Sequence, residues 1–286
     1  MGNRPMNDIA FQFIQDLSNE LSSGELKLPA FPDIAVRVKK ALEEESVSAE
    51  KVAKVIGSDP VLSARLLKVA NSNFSNRSGA NIKDLRTAIA RLGYDLAYNT
   101  AVSIAIEQIF HSSSVSDRIK DHLEELWHHS LHVSAIAYTI AKKLTSIKPD
   151  EAMLAGLLHD IGKFYILTRS EQHPELFNDR IAMEELLKNW HTGIGQAILE
   201  TWTFSEEMAT AANEHDDLER PHAGPPDITD VVTTANLCAH WEQLGDDFDW
   251  SQVTAAKRLK LTEATTKEIL EESADEIQSI LHALGK

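Results

Sequence analysis

Ala155-Gly156-Leu157-Leu158-His159-Asp160-Ile161-Gly162-Lys163 reads as the end of an apolar helix that delivers an imidazole and a carboxylate side by side, with an ammonium three residues on. His159 offers a nitrogen donor and Asp160 anionic oxygens. Such a mixed set suits a borderline divalent ion (Zn, Fe, Mn or Ni) better than an all-oxygen Ca or Mg site does. The dipeptide by itself decides little. With 12 His in the chain, chance gives about one His-Asp pair in a sequence of this length. There are two, the second being His215-Asp216.

Outward from this stretch, the three-to-four-residue apolar period of helices recurs in almost every segment, and no run alternates as a strand does, so the expected fold class is all-α. Pro149 opens the helix that carries His159. Before it, a long helix spans 117–144. Its positions 129, 133, 136, 137 and 140 are His, Val, Ile, Ala and Ile, which puts His129 on the inward face, whereas His128 shares a mixed face with His132 and Thr139. After Pro174, helices are predicted over 181–189 and 192–202. His191 stands at the start of the second, which bears Ile194, Ala197 and Ile198. Ser205 caps a helix that ends at His215, and Asp227 caps one over 228–244. Two last helices, over 251–259 and 262–284, carry Ile269, Ile277, Ile280 and Leu281 on an apolar face that predicts packing on the body.

In the first half, helices are predicted over 6–21, 34–45, a short stretch capped by Ser48, 61–70 opened by Asp59-Pro60, 82–92 started by Asn81 and closed by Gly93, and 94–110. A serine cluster at 112–114 separates this group from the next. The predicted organisation is an N-terminal helical subdomain (1–112), a second helical subdomain (117–244) and C-terminal helices packed on the body (245–286).

Composition sets the class. The chain has 286 residues, 43% hydrophobic and 25% charged, enough for one large core or two modest ones. No apolar run approaches the roughly 20 residues that span a bilayer. The first residues lack the basic and apolar regions of a signal peptide, and the single Cys238 cannot form an internal disulfide, so a cytoplasmic location is expected. A net charge of −16 disfavours nucleic acid and anionic membranes as partners. One island runs the other way: Arg65, Lys68, Arg77, Lys83, Arg86 and Arg91 against Asp84 alone. A solvated helix face is its first reading, and a docking surface for an acidic partner or nucleotide its second.

Taken in order, an inward His129, His159-Asp160 followed by Gly162-Lys163, His191 before Gly195, His215, and the helix over 227–240 resemble the HD superfamily of metal-dependent phosphohydrolases. The resemblance implies His129, His159, Asp160 and His215 as ligands of one or two divalent metals (Fe, Mn, Zn or Ni). It implies His191 on a second metal or on substrate, and Asp160 and Lys163 at the chemistry, Lys163 meeting a phosphoryl oxygen. Leu28-Pro29-Ala30-Phe31-Pro32, Ile56-Gly57-Ser58-Asp59-Pro60, Ala64-Arg65-Leu66-Leu67-Lys68-Val69-Ala70-Asn71-Ser72 and Ala88-Ile89-Ala90-Arg91-Leu92-Gly93 bring the likeness closer. With them the chain resembles, over about 26–240, the HDOD family, the HD-related output domains of bacterial signalling. That implies an N-terminal helical subdomain packed on an HD-like helical bundle. It also implies a regulatory role through a signalling protein partner or a bound nucleotide. The alternative is a metal-dependent phosphohydrolase acting on a phosphoester or nucleotide.

Two departures qualify what the resemblance implies. Where the superfamily places its last metal-binding Asp, this chain reads Ala235-Asn236. Asn236 is neutral, so a metal should bind weakly or with partial occupancy; Asp230 lies on another helix face. His215 is followed by Asp216-Asp217 and a proline-rich loop, without the Gly-Tyr-Pro element of the superfamily's cyclic-di-GMP phosphodiesterases, which argues against that activity. A nucleic-acid-binding regulator using the basic island ranks last, given the overall charge.

Overall fold

The computed structural model describes residues 8–23, 32–44, 46–76, 79–110, 116–241, 244 and 248–285. Among them every regular element is helical: α1 (Asp8–Ser23), α2 (Asp33–Glu43), α3 (Ala49–Ile56), α4 (Pro60–Asn71), α5 (Leu85–Leu92), α6 (Tyr94–Phe110), α7 (Asp117–Leu144), α8 (Pro149–Leu158), α9 (Ile161–Ser170), α10 (Pro174–Asn178), α11 (Arg180–Thr201), α12 (Glu206–Glu214), α13 (Ile228–Ala239), α14 (Thr254–Arg258), α15 (Glu263–Glu272) and α16 (Ala274–Leu284), with a 3₁₀ turn at Trp250–Gln252. Most of the predicted caps start these helices. The Ser48 hydroxyl accepts from the Lys51 amide, the Asp59 carboxylate from the Val61 and Leu62 amides ahead of Pro60, and Asp227 forms a capping box with Asp230.

Helix α6 joins two cores. Its Ala97, Ala101 and Ile104 close a small core with Val38, Ile56, Leu66 and Ile89 from α2 to α5, while its Val102, Ala105, Ile106 and Phe110 face the larger core. Buried on both sides, α6 also buries its polar stripe, whose members find partners: Asn99 Nδ2 donates to the Asp150 carbonyl, the Ser103 hydroxyl to the Asn99 carbonyl, and Glu107 pairs with Arg65. The long α7 is the spine of the larger core, flanked by α8, α9, α13 and α16, and α11 packs on α9 and α12.

Several boundaries differ from expectation, each for a physical reason. The helices predicted over 181–189 and 192–202 are one continuous α11, because the Trp190-His191 step between them lacks a proline or a competing cap. Helix α5 begins after Asp84, which caps the Thr87 amide, and not at Asn81. Ile82 is held outside the helix because the Asn71 side chain bonds both its N–H and its C=O. Helix α13 stops at Ala239, five residues short of the prediction, and the final segment is broken at Ser273. The Leu28 to Phe31 lead-in and the serine cluster lie outside the described residues.

Helix α1 does not sit with the N-terminal group. Ala10, Phe13 and Leu17 are buried in the larger core, and α1 packs on α10 and α11. The basic island turns partly inward as well. Arg65 pairs with the buried Glu107 and donates to the Leu284 carbonyl, and Lys68 Nζ donates to the Gly285 carbonyl at 3.3 Å. These contacts fasten the end of α16 to α4 and α6.

Candidate metal centre

The 159–160 pair forms the corner between α8 and α9, His159 being the residue that caps the end of α8 and Asp160 the residue that precedes α9. Packing this corner on α11 requires glycine at 162: a Cβ there would stand 1.9 Å from the His191 carbonyl oxygen. The close crossing sets His191 against Asp160. From the opposite side, α7 contributes His129 and the end of α12 contributes His215.

The imidazoles are oriented from behind. The Nδ1–H of His159 donates to the Gly156 carbonyl at 2.7 Å, that of His191 to the Leu187 carbonyl at 2.7 Å, and that of His215 to the Ala212 carbonyl at 3.0 Å. A carbonyl only accepts, so Nδ1 carries the proton in each ring and Nε2 turns its lone pair into the cluster. Backbone anchoring of this kind fixes the tautomer of metal-binding histidines.

Asp160 divides the four imidazoles into two pairs. Its Oδ2 lies 3.3 Å from His159 Nε2 and 3.7 Å from His129 Nε2; its Oδ1 lies 3.4 Å from His191 Nε2 and 3.5 Å from His215 Nε2. Within the pairs, Nε2 to Nε2 separations are 3.2 Å for His129 and His159 and 3.4 Å for His191 and His215. Two ligands each about 2.1 Å from a common ion, subtending about 90–110°, lie about 3.0–3.4 Å apart. The spacing fits a metal in either pair. Asp160 Oδ1 is buried without a hydrogen-bond donor, and the side chains of His159, Asp160, His191 and His215 are at most 1% exposed. A buried carboxylate oxygen facing nitrogen lone pairs offers a set of donors that could hold a cation.

The electrostatics agree. Burial, and after it the neighbouring His159, pushes His129 down to about 3, so its ring is neutral near pH 7. His159 is also lowered, chiefly by burial and against the pull of Asp160. Burial acts against the Asp160 carboxylate, yet His159 and Lys163 hold it well below the usual range. For His215 burial again opposes the cation, but Asp160 and Asp216 outweigh it and raise the ring.

Lys163 lies at the edge of the cluster, its Nζ 2.7 Å from Asp160 Oδ2 and its side chain 27% exposed. All of His129, His159, Asp160, Lys163, His191 and His215 are therefore together. Asn236 reaches the cluster only through Asp216, its Nδ2 donating to Asp216 Oδ1 at 3.2 Å. Asp230 stands apart, bonded to Arg258 Nη1 at 2.8 Å.

Two residues at the cluster escaped the sequence reading. Asp216 places Oδ2 3.3 Å from His191 Nε2 and Oδ1 3.5 Å from His215 Nε2. Burial would raise its carboxyl, but the neighbouring His191 and then His215 hold it well below the ordinary range. Its signal was the second His-Asp dipeptide. His240, at the end of α13, packs its ring against that of His129 at a tilt of 43°, with centroids 4.3 Å apart; its place one helical turn after Asn236 was the available clue.

The family profile for the HDOD domain matches residues 28–218. The chain belongs to the HDOD family. Solved structures agree with this membership. A proposed metal-dependent phosphohydrolase from Shewanella amazonensis SB2B is 28% identical, with 97% of this chain and 100% of that chain covered and a TM-score of 0.79. An HDOD domain protein of unknown function from Geobacter sulfurreducens is 25% identical, with 98% and 97% covered and a TM-score of 0.70. A proposed signal transduction protein from Marinobacter aquaeolei VT8 shares the fold at 19% identity, with 99% of this chain and 67% of that chain covered and a TM-score of 0.63. No curated protein matches the chain. No described helix of this HDOD protein is long and apolar enough to cross a membrane.

Proposed function

We propose that this HDOD protein is a cytoplasmic module of bacterial signalling whose His/Asp cluster holds one or two divalent ions and which acts through a protein partner or a bound nucleotide. The observation that carries the reading is the position of Asp160, each oxygen facing its own pair of imidazoles at ligand spacing, in a cluster whose four innermost side chains are at most 1% exposed. His129, His159 and Asp160 would hold one ion and Asp160, His191 and His215 another. A divalent ion there supplies Lewis acidity, lowering the pKa of bound water and offsetting phosphate charge. This chain's residues do the rest: backbone carbonyls lock the rings, Lys163 balances Asp160, and the apolar packing excludes bulk water. Such enclosure favours holding an ion over repeated turnover of a bulky substrate.

The second reading is a metal-dependent phosphohydrolase. It is favoured by one flank that does reach solvent, where Asp216 is 49%, Lys163 27% and His129 17% exposed, and by the proposed activity of the Shewanella relative. Metal analysis of protein purified without chelator, followed by calorimetric titration of the stripped protein with Mn²⁺, Zn²⁺ and anaerobic Fe²⁺, separates the outcomes. Bound metal with a raised Tm and no cleavage of bis-p-nitrophenyl phosphate is the expected result. Cleavage abolished by Asp160→Ala would put the hydrolase first, and failure to bind any of these ions would end both readings.

A further inference from the structure

The HD-superfamily pattern implies an acidic ligand at the position occupied here by Asn236, and the neutral side chain there reads as a lost ligand. The geometry points elsewhere. Asn236 is buried, at 8% exposure, and directs its Nδ2–H at Asp216 Oδ1, 3.2 Å away. The Asp216 carboxylate in turn lies 3.3 Å from His191 Nε2 through Oδ2 and 3.5 Å from His215 Nε2 through Oδ1. Its oxygens stand as far from these two nitrogens as Asp160 Oδ1 does, at 3.4 and 3.5 Å. We infer that the anionic ligand of the His191 and His215 pair has moved from position 236 to Asp216, and that Asn236 is a positioning residue that aims this carboxylate.

The chemistry requires both halves of the exchange. An Asp at 236 would set a second carboxylate against Asp216 at hydrogen-bond distance, two like charges in a poorly hydrated place. A carboxamide in the same volume donates a proton instead, which strengthens the bond to an ionised acceptor and fixes which oxygen faces the rings. The charge count is thereby conserved. The pair meets two carboxylates, Asp160 and Asp216, as it would with an acid at 236. Asp216 has one further property that a residue on α13 would lack: it follows His215 directly, so both ligands come from the end of one helix and share its rigidity. It is also the most exposed member of the cluster, on the flank where Lys163 and His129 reach solvent, so an ion held there would face solvent on that side.

This inference rests on the metal reading above, and the test is chosen to tell their failures apart. Mn²⁺ binding to the intact stripped chain is measured by titration calorimetry and by the loss of the free-ion Mn²⁺ EPR signal, for the unmodified protein, Asp160→Asn, Asp216→Asn, Asn236→Ala and the exchange variant Asp216→Asn/Asn236→Asp. Circular dichroism and Tm of the metal-free forms check folding, which the exposed Asp216 side chain leaves undisturbed. The expected result is a Kd raised at least about tenfold by Asp216→Asn, several-fold by Asn236→Ala, and brought back toward the starting value in the exchange variant, where the carboxylate and carboxamide have changed places. A Kd and stoichiometry for Asp216→Asn within twofold of the unmodified chain, with binding abolished by Asp160→Asn, would overturn the inference and leave the metal reading standing. Absence of binding by the unmodified chain would overturn the metal reading, and this inference with it.

Discussion

A Cβ on residue 162 would stand 1.9 Å from the carbonyl oxygen of His191 and 2.8 Å from the Gly195 amide nitrogen. No rotamer relieves such a clash, because both neighbours are backbone. Gly162→Ala must therefore push α9 away from α11, and overpacking of this kind costs about 1–3 kcal/mol or more. The same displacement would separate Asp160 Oδ1 from His191 Nε2. Urea unfolding should show the loss of stability and Mn²⁺ titration a weaker site. A variant with unchanged stability would show that the two helices cross with slack.

Glu107 of α6 is buried, with 5% of its side chain exposed, and meets Arg65 of α4. Removing one member of such a pair leaves a stranded charge, which costs about 3–5 kcal/mol, whereas replacing both by apolar groups costs far less. Glu107→Ala should lower urea stability by an amount in this range. Arg65→Met/Glu107→Leu should recover most of it, less the part that Arg65 contributes by holding the Leu284 carbonyl. Equal losses in the single and double variants would show that the pair matters through packing alone.

Asn71 holds the segment between α4 and α5. Its Nδ2 donates to the Leu67 and Ile82 carbonyls at 2.9 and 2.8 Å, and its Oδ1 accepts from the Ile82 amide at 2.8 Å. Each polar group left unpaired by Asn71→Ala costs about 1–3 kcal/mol when it stays buried. Hydrogen exchange at the Ile82 amide should rise by orders of magnitude in this variant. Unchanged exchange would assign the protection of that amide to another contact.

The sequence makes the helices legible because their periods, caps and prolines are local. Pro149, Asp59-Pro60 and Ser205 start helices within a residue of where spacing puts them. Inward histidines were also legible, since a helix face is a matter of counting. What counting omits is distance. Asp216 follows His215 around the end of α12, where no period applies, and only the approach of α11 and α13 gives it the His191 imidazole and the Asn236 amide donor. The placement of α1 on α10 and α11 is equally invisible locally, for its apolar stripe could have met any neighbour.

Tyr98 of α6 is pushed up to about 12, first by burial and then by the charge of Glu43. The sign follows from proton counting: above about pH 10 an unfolded tyrosine releases its proton, while the folded ring keeps it. The native state then binds more protons, so stability is fully present below pH 10 and falls between about 10 and 12. Tyr98→Phe should flatten part of that decline in urea titrations at stepped pH. An identical alkaline slope in both proteins would show that Tyr98 titrates normally.

Lys163 supplies the last test, because its positive charge competes with any ion at Asp160. The ammonium lies 2.7 Å from Asp160 Oδ2, the oxygen shared with His129 and His159. Without metal it stabilises a carboxylate that is 1% exposed; beside a dication it repels. At an effective dielectric near 20, unit charges about 4 Å apart interact by about 4 kcal/mol, so even a heavily relaxed repulsion is worth about a tenfold change in Kd. Lys163→Met should lower the Tm of stripped protein, bind Mn²⁺ at least about tenfold more tightly, and show a larger rise in Tm on loading. A residue whose main task is to grip a phosphoryl oxygen would behave differently. Its loss would leave Mn²⁺ affinity unchanged and weaken only the binding of inorganic phosphate to the loaded protein. Measuring both ligands on the same variant therefore separates a lysine that balances Asp160 from one that binds substrate.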